Sequence, residues 1–314
     1  MSNLSDFRNG YNQNLDTALD IEIRLFLLSV SVVIMFLNGI SLVAMNRTRH
    51  TPRTARFLSM SLLVFDFMAA LMYTVRRMIV NTPLNLLFQL IAMGFNFLGF
   101  LNIAIMSLER LVVFRWPNFY LRKVSYSAIW RISVFVWVGY SFTWVFGCSW
   151  CFIHVDDADP KTIYCFTRVI HNHLRIIYSS TTAISCACLM NICFIIAHQA
   201  SKTTGTRIAL NSNKSTIVVM MCIANYLVAT ICNTAFTYLI EEAYIRRLVN
   251  DLMMIANGFV DTCVYVLWFK ECRLEVIKML GRVFPSIDKK VHAMRIEIFD
   301  ISTYEKRTSS DLEQ

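Results

Sequence analysis

Long apolar segments are the feature that most limits what this chain can fold into. Each has about the length, near 20 residues, that a helix needs to cross about 30 Å of hydrocarbon. Seven such segments occur, namely Leu25–Met45, Phe57–Val75, Leu86–Leu108, Ile132–Ile153, Ile176–Ala197, Ile217–Ile240 and Leu252–Phe269. With 56% hydrophobic and 16% charged residues, the composition is that of a polytopic membrane protein rather than a soluble domain. We therefore expect an all-α membrane fold, a seven-helix transmembrane bundle over 25–270.

The distribution of Lys and Arg predicts the orientation. The loops after the first, third and fifth segments are rich in these residues, as at Arg47, Arg115 and Lys202, and such loops stay in the cytosol. The tail 1–24 is then extracellular and the tail 282–314 cytoplasmic. The net charge of +9 is explained by basic residues that face anionic membrane lipid, so no nucleic acid is expected as a partner. The sequon at Asn3 lies on the outer side, which predicts glycosylation there.

Two carboxylates lie inside the apolar segments, Asp66 and Asp261. A charge at mid-membrane costs about 2.5–3.5 kcal/mol, so each should face the bundle interior and find polar partners. Asn257 lies one helical turn before Asp261 on the same face. Together with Asn38 of the first segment, these residues predict an intramembrane polar cluster. The alternative interpretation is that they only satisfy one another as structural contacts.

The end of the third segment carries an acid and an arginine, Glu109-Arg110, at a membrane face. Alone, the pair could be interfacial charges that end a helix. Pro117 and Tyr120 follow at fixed offsets, and Trp137 lies in the fourth segment. This spacing resembles the Asp/Glu-Arg-Tyr signature, second intracellular loop and fourth helix of rhodopsin-like G-protein-coupled receptors.

The seventh segment supports the same resemblance. Asp261-Thr262-Cys263-Val264-Tyr265 is similar to the Asn/Asp-Pro-x-x-Tyr motif of this family, with threonine in place of proline. Asn38 and Asp66 resemble the asparagine and aspartate of its first two helices. Met106–Arg110 and the variant motif of the seventh segment look most like odorant-type receptors of aquatic vertebrates.

The resemblance implies a plasma-membrane receptor that transmits an extracellular ligand signal to a heterotrimeric G protein, with arrestin and a receptor kinase as further partners. It implies no cofactor and no enzymatic activity. The residues of the coupling switch would be Glu109, Arg110, Pro117, Tyr120 and Tyr265. The polar cluster of Asn38, Asp66, Asn257 and Asp261 would bind sodium, as it does in the family.

The chain departs from the family at several positions. Leu111 replaces the signature tyrosine, and all five prolines lie outside the apolar segments. The family's disulfide partner would fall near Asn85, where no cysteine occurs; a Cys151–Cys165 bridge is the alternative hypothesis. Ala92 stands where amine receptors carry an aspartate, which weighs against a monoamine ligand. Candidate pocket residues, chosen as inward-facing in the outer half of the helices, are Ala92, Asn96, Asn233, Tyr238 and Asp251.

The segment after the seventh helix, 271–281, is basic and amphipathic, similar to the family's eighth helix on the membrane surface. Its Cys272 is a candidate for palmitoylation. The competing interpretation of the whole chain is a transporter or channel, which typically shows internal repeats, broken helices or rings of charge. None is evident in the sequence, and neither is a hydrolase or zinc-protease motif.

Overall fold

In the computed structural model, the regular structure of the described residues is entirely α-helical. The structure describes residues 3–48, 51–79, 82–154, 176–177, 179–195, 220–228 and 243–283. The helices are α1 (Asn3–Arg47), α2 (Arg53–Met78), α3 (Thr82–Arg115), α4 (Pro117–Lys123), α5 (Tyr126–His154), α6 (Ser179–Ile195), α7 (220–228), α8 (Ala243–Trp268) and α9 (Lys270–Val283).

Four of these helices are long and apolar enough to cross a membrane. Their candidate spans are Ile21–Arg47, Arg53–Met78, Leu87–Arg115 and Tyr126–Trp150, and α6 is a shorter apolar helix. The prediction of a membrane protein built only from helices is confirmed to this extent for the described residues. The predicted tail 1–24 is largely helical, because α1 begins at Asn3.

Prolines mark several of the helix starts. Pro52 directly precedes α2, Pro83 lies in the first turn of α3, and Pro117 is the first residue of α4. Proline suits these positions because its fixed φ is helical and its missing N–H has no partner in a first turn. The predicted loop after α3 therefore contains a short helix, and Trp116, with non-helical dihedral angles, separates it from α3.

Helix α2 occupies the centre of the arrangement. It packs against α1, α3, α5 and α8, and α8 returns to α1. Two hydrogen bonds connect the helices at one end. Thr54 near the start of α2 bonds Tyr120 of α4, and Thr51, just before α2, bonds Glu271 of α9. The end of α3 leads into α4, and the end of α8 leads into α9. We call this the basic end, because Arg47, Arg53 and Arg115 lie there.

The opposite end is held by polar contacts between α2 and α3. The Asn85 amide donates to the carbonyl oxygens of Arg76 and Ile79 at 3.0 and 3.3 Å, and accepts from Arg76 Nε at 3.1 Å. These bonds add to the capping of the last carbonyl groups of α2, where the donors of the helix run out; the Arg76 carbonyl oxygen also accepts from Ile79 N–H. Asn85, near the position where the family carries its cysteine, thus ties the start of α3 to α2.

An aromatic contact joins α3 and α5. Phe97 and Trp144 meet edge to face with ring centroids 5.3 Å apart, and the Trp144 indole donates to the carbonyl oxygen of Leu90 at 3.2 Å. Gly94 permits this approach: a Cβ built there would lie 3.0 Å from Trp144 Nε1. The other face of α5 is open, and Phe135 is 80% exposed, as expected for a helix that faces lipid.

We predict opposite effects of alanine at two glycines. In Gly94→Ala the new methyl group displaces Trp144 and weakens its bond to Leu90, at a cost of about 1–3 kcal/mol. In Gly139→Ala the methyl group meets nothing within 4 Å, and better helix propensity adds up to about 1 kcal/mol. Thermal unfolding of the purified variants measures both. Equal melting temperatures would contradict the proposed packing of Trp144.

Candidate functional site

The charged pair at the end of α3 is held by two neighbouring helices. Glu109 Oε2 lies 3.0 Å from Arg110 Nε, and Glu109 Oε1 accepts a 2.6 Å hydrogen bond from the Tyr120 hydroxyl of α4. Thr54 at the start of α2 lies 3.1 Å from the same Tyr120 oxygen, and its hydroxyl can donate to it. We call these four residues the clasp.

Both members of the charged pair are buried. Arg110 is 7% exposed and Glu109 8%. The small space beside them has no room for a water molecule and is lined by Leu58, Met106 and Phe269, among others. Arg110 Nε meets the carboxylate as an ion pair without the alignment of a hydrogen bond. A guanidinium enclosed in this way gains little from burial and is costly to leave unpaired. The charged pair is therefore shielded from water, but its hydrogen-bonding groups are only partly satisfied.

The Tyr120 hydroxyl keeps its proton throughout the physiological range. Burial raises the pKa of Tyr120 to about 12, and the hydrogen bond to the Glu109 carboxylate adds to this shift. Because the folded pKa lies above the unfolded one, the contribution to stability is complete below about pH 10 and is lost as the pH rises toward 12. At neutral pH, Tyr120 is therefore a permanent donor to Glu109.

A second polar site lies deeper between the helices. Asn225 of α7 donates to Asn257 Oδ1 at 3.0 Å and to Asp261 Oδ1 at 3.1 Å. Asn257 Nδ2 lies 3.5 Å from Asp261 Oδ2 within α8. Asp261 is fully buried, so its carboxylate depends on these amide donors.

Asn38 and Asp66 complete this polar cluster from α1 and α2. The Thr262 hydroxyl of α8 donates to Asn38 Oδ1. A Cβ built on Gly258 would lie 3.6 Å from Asp66 Cγ and 3.7 Å from Asn38 Nδ2, at ordinary contact distance, so this face of α8 packs against both side chains. Asp66 Oδ2 and Asn38 Nδ2 are buried without a hydrogen-bond partner among the described residues. The four residues grouped from the sequence thus lie together in the structure.

One face of α8 connects the two sites. Asn257, Asp261 and Tyr265 follow one another at intervals of one turn. Tyr265 is fully buried and stacks on Phe269, with ring centroids 5.8 Å apart. Phe269 lines the space beside Arg110. A displacement of α8 therefore acts on the polar cluster and on the surroundings of Arg110 at once.

The predicted ligand pocket is only partly within the described residues. Ala92 is fully buried in an apolar cluster with residues of α1 and α2, and Asn96 is buried on α3. Asn233 and Tyr238 lie outside the described residues, and Asp251 lies in α8 with its side chain outside them. The hypothesised Cys151–Cys165 bridge and the side chain of Asn3 are also outside the described part.

The palmitoylation hypothesis does not fit the structure of α9. Cys272 is fully buried in the apolar core. Burial raises the pKa of its thiol to about 12, which disfavours the nucleophilic thiolate. The thiol instead packs as a small apolar group where α9 meets α1 and α8. The helix itself, Lys270–Val283, covers the predicted segment 271–281.

Three contributors to these sites were not singled out from the sequence. Asn225, Thr262 and Thr54 make the hydrogen bonds described above, yet a lone Asn or Thr in an apolar segment most often serves helix packing. Tyr226 beside Asn225 bonds Thr181 of α6 at 2.5 Å. These residues can be recognised as part of the two sites only when it is known which helices pack together, and no local sequence pattern specifies that.

Within the described part of the chain, no group of three or more His, Cys, Asp or Glu side chains is suited to a metal ion. The sequence matches no protein-family model and no curated protein sequence.

We predict that the hydroxyl of Thr262 stabilises the bundle. Thr262→Ala removes the donor to Asn38, at a cost of about 1 kcal/mol for a bond between membrane helices, whereas Thr262→Ser retains it. Thr143→Ala is the matched control, because that hydroxyl bonds only a carbonyl of its own helix on an exposed face. Thermal unfolding in detergent measures the effect, and equal destabilisation by the two alanine variants would contradict it.

Proposed function

We propose that this protein is a seven-helix receptor that couples an extracellular ligand to a heterotrimeric G protein. The observation that carries the proposal is the buried Glu109–Arg110 pair at the basic end of α3, to which Tyr120 donates a hydrogen bond. The motif resemblance to rhodopsin-like receptors has the same pair at its centre. In this proposal the described structure corresponds to the closed state.

The directions of the helices support seven crossings. α5 begins at the basic end and finishes at the opposite end, whereas α8 runs back to the basic end, where Glu271 meets Thr51. If α8 is a crossing, as the proposal has it, the chain between α5 and α8 crosses the membrane an even number of times. α6 and α7 belong to this interval, and two crossings bring the total to seven.

The proposed orientation places the basic end in the cytosol. Arginines and lysines of α1, α2, α3 and α4 lie at this end, at Arg47, Arg53, Arg115, Arg122 and Lys123. Such residues are retained on the cytoplasmic side. The N-terminus is then outside the plasma membrane, and the clasp faces the compartment that contains G proteins.

The mechanism follows from the two packings that the clasp permits. In the closed packing, Arg110 is covered by Leu58, Met106 and Phe269. A ligand that favours an open packing moves Phe269 and α4 away from the end of α3, and exposes the guanidinium to the partner. The ligand shifts the equilibrium only by its difference in affinity for the two packings.

The polar cluster fits a monovalent cation such as sodium, as the resemblance implies. Hard cations take oxygen ligands, and Asp66, Asp261 and Asn257 supply them, with Asp66 Oδ2 free of any hydrogen bond among the described residues. A cation here would offset the repulsion between two buried carboxylates. It would therefore favour the closed packing, in which these side chains lie together.

Removal of the Tyr120 hydroxyl is expected to raise basal coupling. A hydrogen bond to a charged group contributes about 1.5–3 kcal/mol, so Tyr120→Phe shifts the closed–open equilibrium toward open by about 10- to 150-fold. Recruitment of Gα reporters of each class in cells measures basal activity without a ligand. Tyr126→Phe at the same end, outside the clasp, is the control. Basal activity equal to that of the parent would show that the clasp does not restrain the bundle.

Arg110→Ala is expected to abolish coupling in both the parent and the Tyr120→Phe background, because the open state then lacks its guanidinium. Arg122→Ala changes an exposed arginine of α4 and should couple normally. The same reporters, normalised to the amount of receptor at the cell surface, give the comparison. Full coupling by Arg110→Ala would refute the role of this arginine.

A further inference from the structure

A groove between α1, α2 and α5 at the basic end is separate from the clasp and from the polar cluster. Its volume is about 580 Å³. Two arginines of α2, Arg53 and Arg56, line its mouth, and Asn46 contributes from the end of α1. Among the described residues that line it, no side chain carries a negative charge.

The arginines are arranged to receive an anion. Arg56 Nη1 donates to the carbonyl oxygen of Thr48 at 2.5 Å, which fixes the guanidinium and leaves further N–H groups for a ligand. Arg53 is exposed as the first residue of α2, whose first turn contains no acid. Arg53 and Arg56 lie near the positive end of the α2 dipole, which is unfavourable for cations. A bound anion would relieve this repulsion.

The rest of the groove is apolar and runs along the membrane-spanning part of α2. Met60, Val64 and Phe65 line it from α2, and Trp137 lines it from α5. Phe65 and Trp137 meet edge to face with ring centroids 5.2 Å apart, so two packed aromatic rings form one side of the groove. From Arg53 to Val64 the helix rises about 16 Å, close to the depth of one leaflet of the hydrocarbon core.

We infer that this groove binds an anionic phospholipid. Its phosphate lies against the guanidinium groups of Arg53 and Arg56, and its acyl chain follows Met60, Val64 and Phe65 into the leaflet. Charge at the mouth and an apolar wall of one leaflet's depth match this ligand, whereas a soluble anion would leave the apolar part unused. The inference needs only a membrane around the helices and does not depend on G-protein coupling.

The test uses the full chain purified in detergent. Native mass spectrometry measures the binding of phosphatidylserine, of phosphatidylcholine with the same acyl chains, and of soluble glycerophosphoserine. We expect phosphatidylserine to bind best. Each of Arg53→Gln and Arg56→Gln should weaken its binding about fivefold, and the double variant about 25-fold, because each basic residue near anionic lipid contributes about 1 kcal/mol.

Two further variants make the test specific. Arg122→Gln removes an exposed arginine of the same end that does not line the groove, and should leave binding unchanged. Val64→Trp fills the apolar part from a partly exposed position and should weaken phosphatidylserine binding without a change of charge. Thermal unfolding confirms that each variant is folded.

Three results would overturn the inference. Equal binding of phosphatidylcholine would remove the selectivity for an anionic lipid, and an unchanged affinity of the double variant would remove the role of the arginines. Binding of glycerophosphoserine as tight as that of phosphatidylserine would identify the ligand as a small soluble anion.

Discussion

Polar side chains between membrane-spanning helices must find their partners inside the protein, because hydrocarbon offers none. In this chain that requirement determines which helices lie together. Asp261 takes its donors from α7 and α8, and Asn38 takes its donor from Thr262 of α8. Asn102 of α3 reaches across to the carbonyl oxygen of Leu58 in α2 at 2.8 Å. Apolar packing alone would allow many rotations of these helices, whereas the buried polar groups favour one.

Some of the buried polar atoms that depart from this rule lie at the two sites of the proposed function. Asp66 Oδ2 and Asn38 Nδ2 lack hydrogen-bond partners in the described structure, as does Arg110 Nε. A fully satisfied network would hold a single packing firmly. Groups that are only partly satisfied lower the cost of a second packing. Here they are Asn38 and Asp66 between α1 and α2, and Arg110 at the end of α3. Incomplete bonding thus occurs at both sites that α8 connects, the polar cluster and the clasp.

The sequence predicts those features that follow from short-range patterns. Apolar length identified the four helices that are long and apolar enough to cross a membrane, and a carboxylate such as Asp66 in an apolar segment had to face inward. The spacing of Asn257 and Asp261 placed them on one face of a helix. What could not be predicted depends on tertiary contacts. Nothing local to Thr54 links it to a tyrosine 66 residues away, and the burial of Cys272 depends on α9 packing under α1 rather than on its own amphipathic pattern.

The absence of proline from the apolar segments bears on how such a bundle can switch. Without a proline kink, we expect α8 to move as one unit, and Gly258 lies on the face of α8 that meets Asp66 and Asn38. The movement breaks the bonds of α8 to Asn225 and Asn38, each worth about 0.6 kcal/mol on average between membrane helices. A few such bonds amount to a gap of about 2 kcal/mol, within the range that differential binding of one ligand can overcome. The proposed switch therefore needs no hinge, since a polar contact surface of modest total strength can hold the closed state and release it.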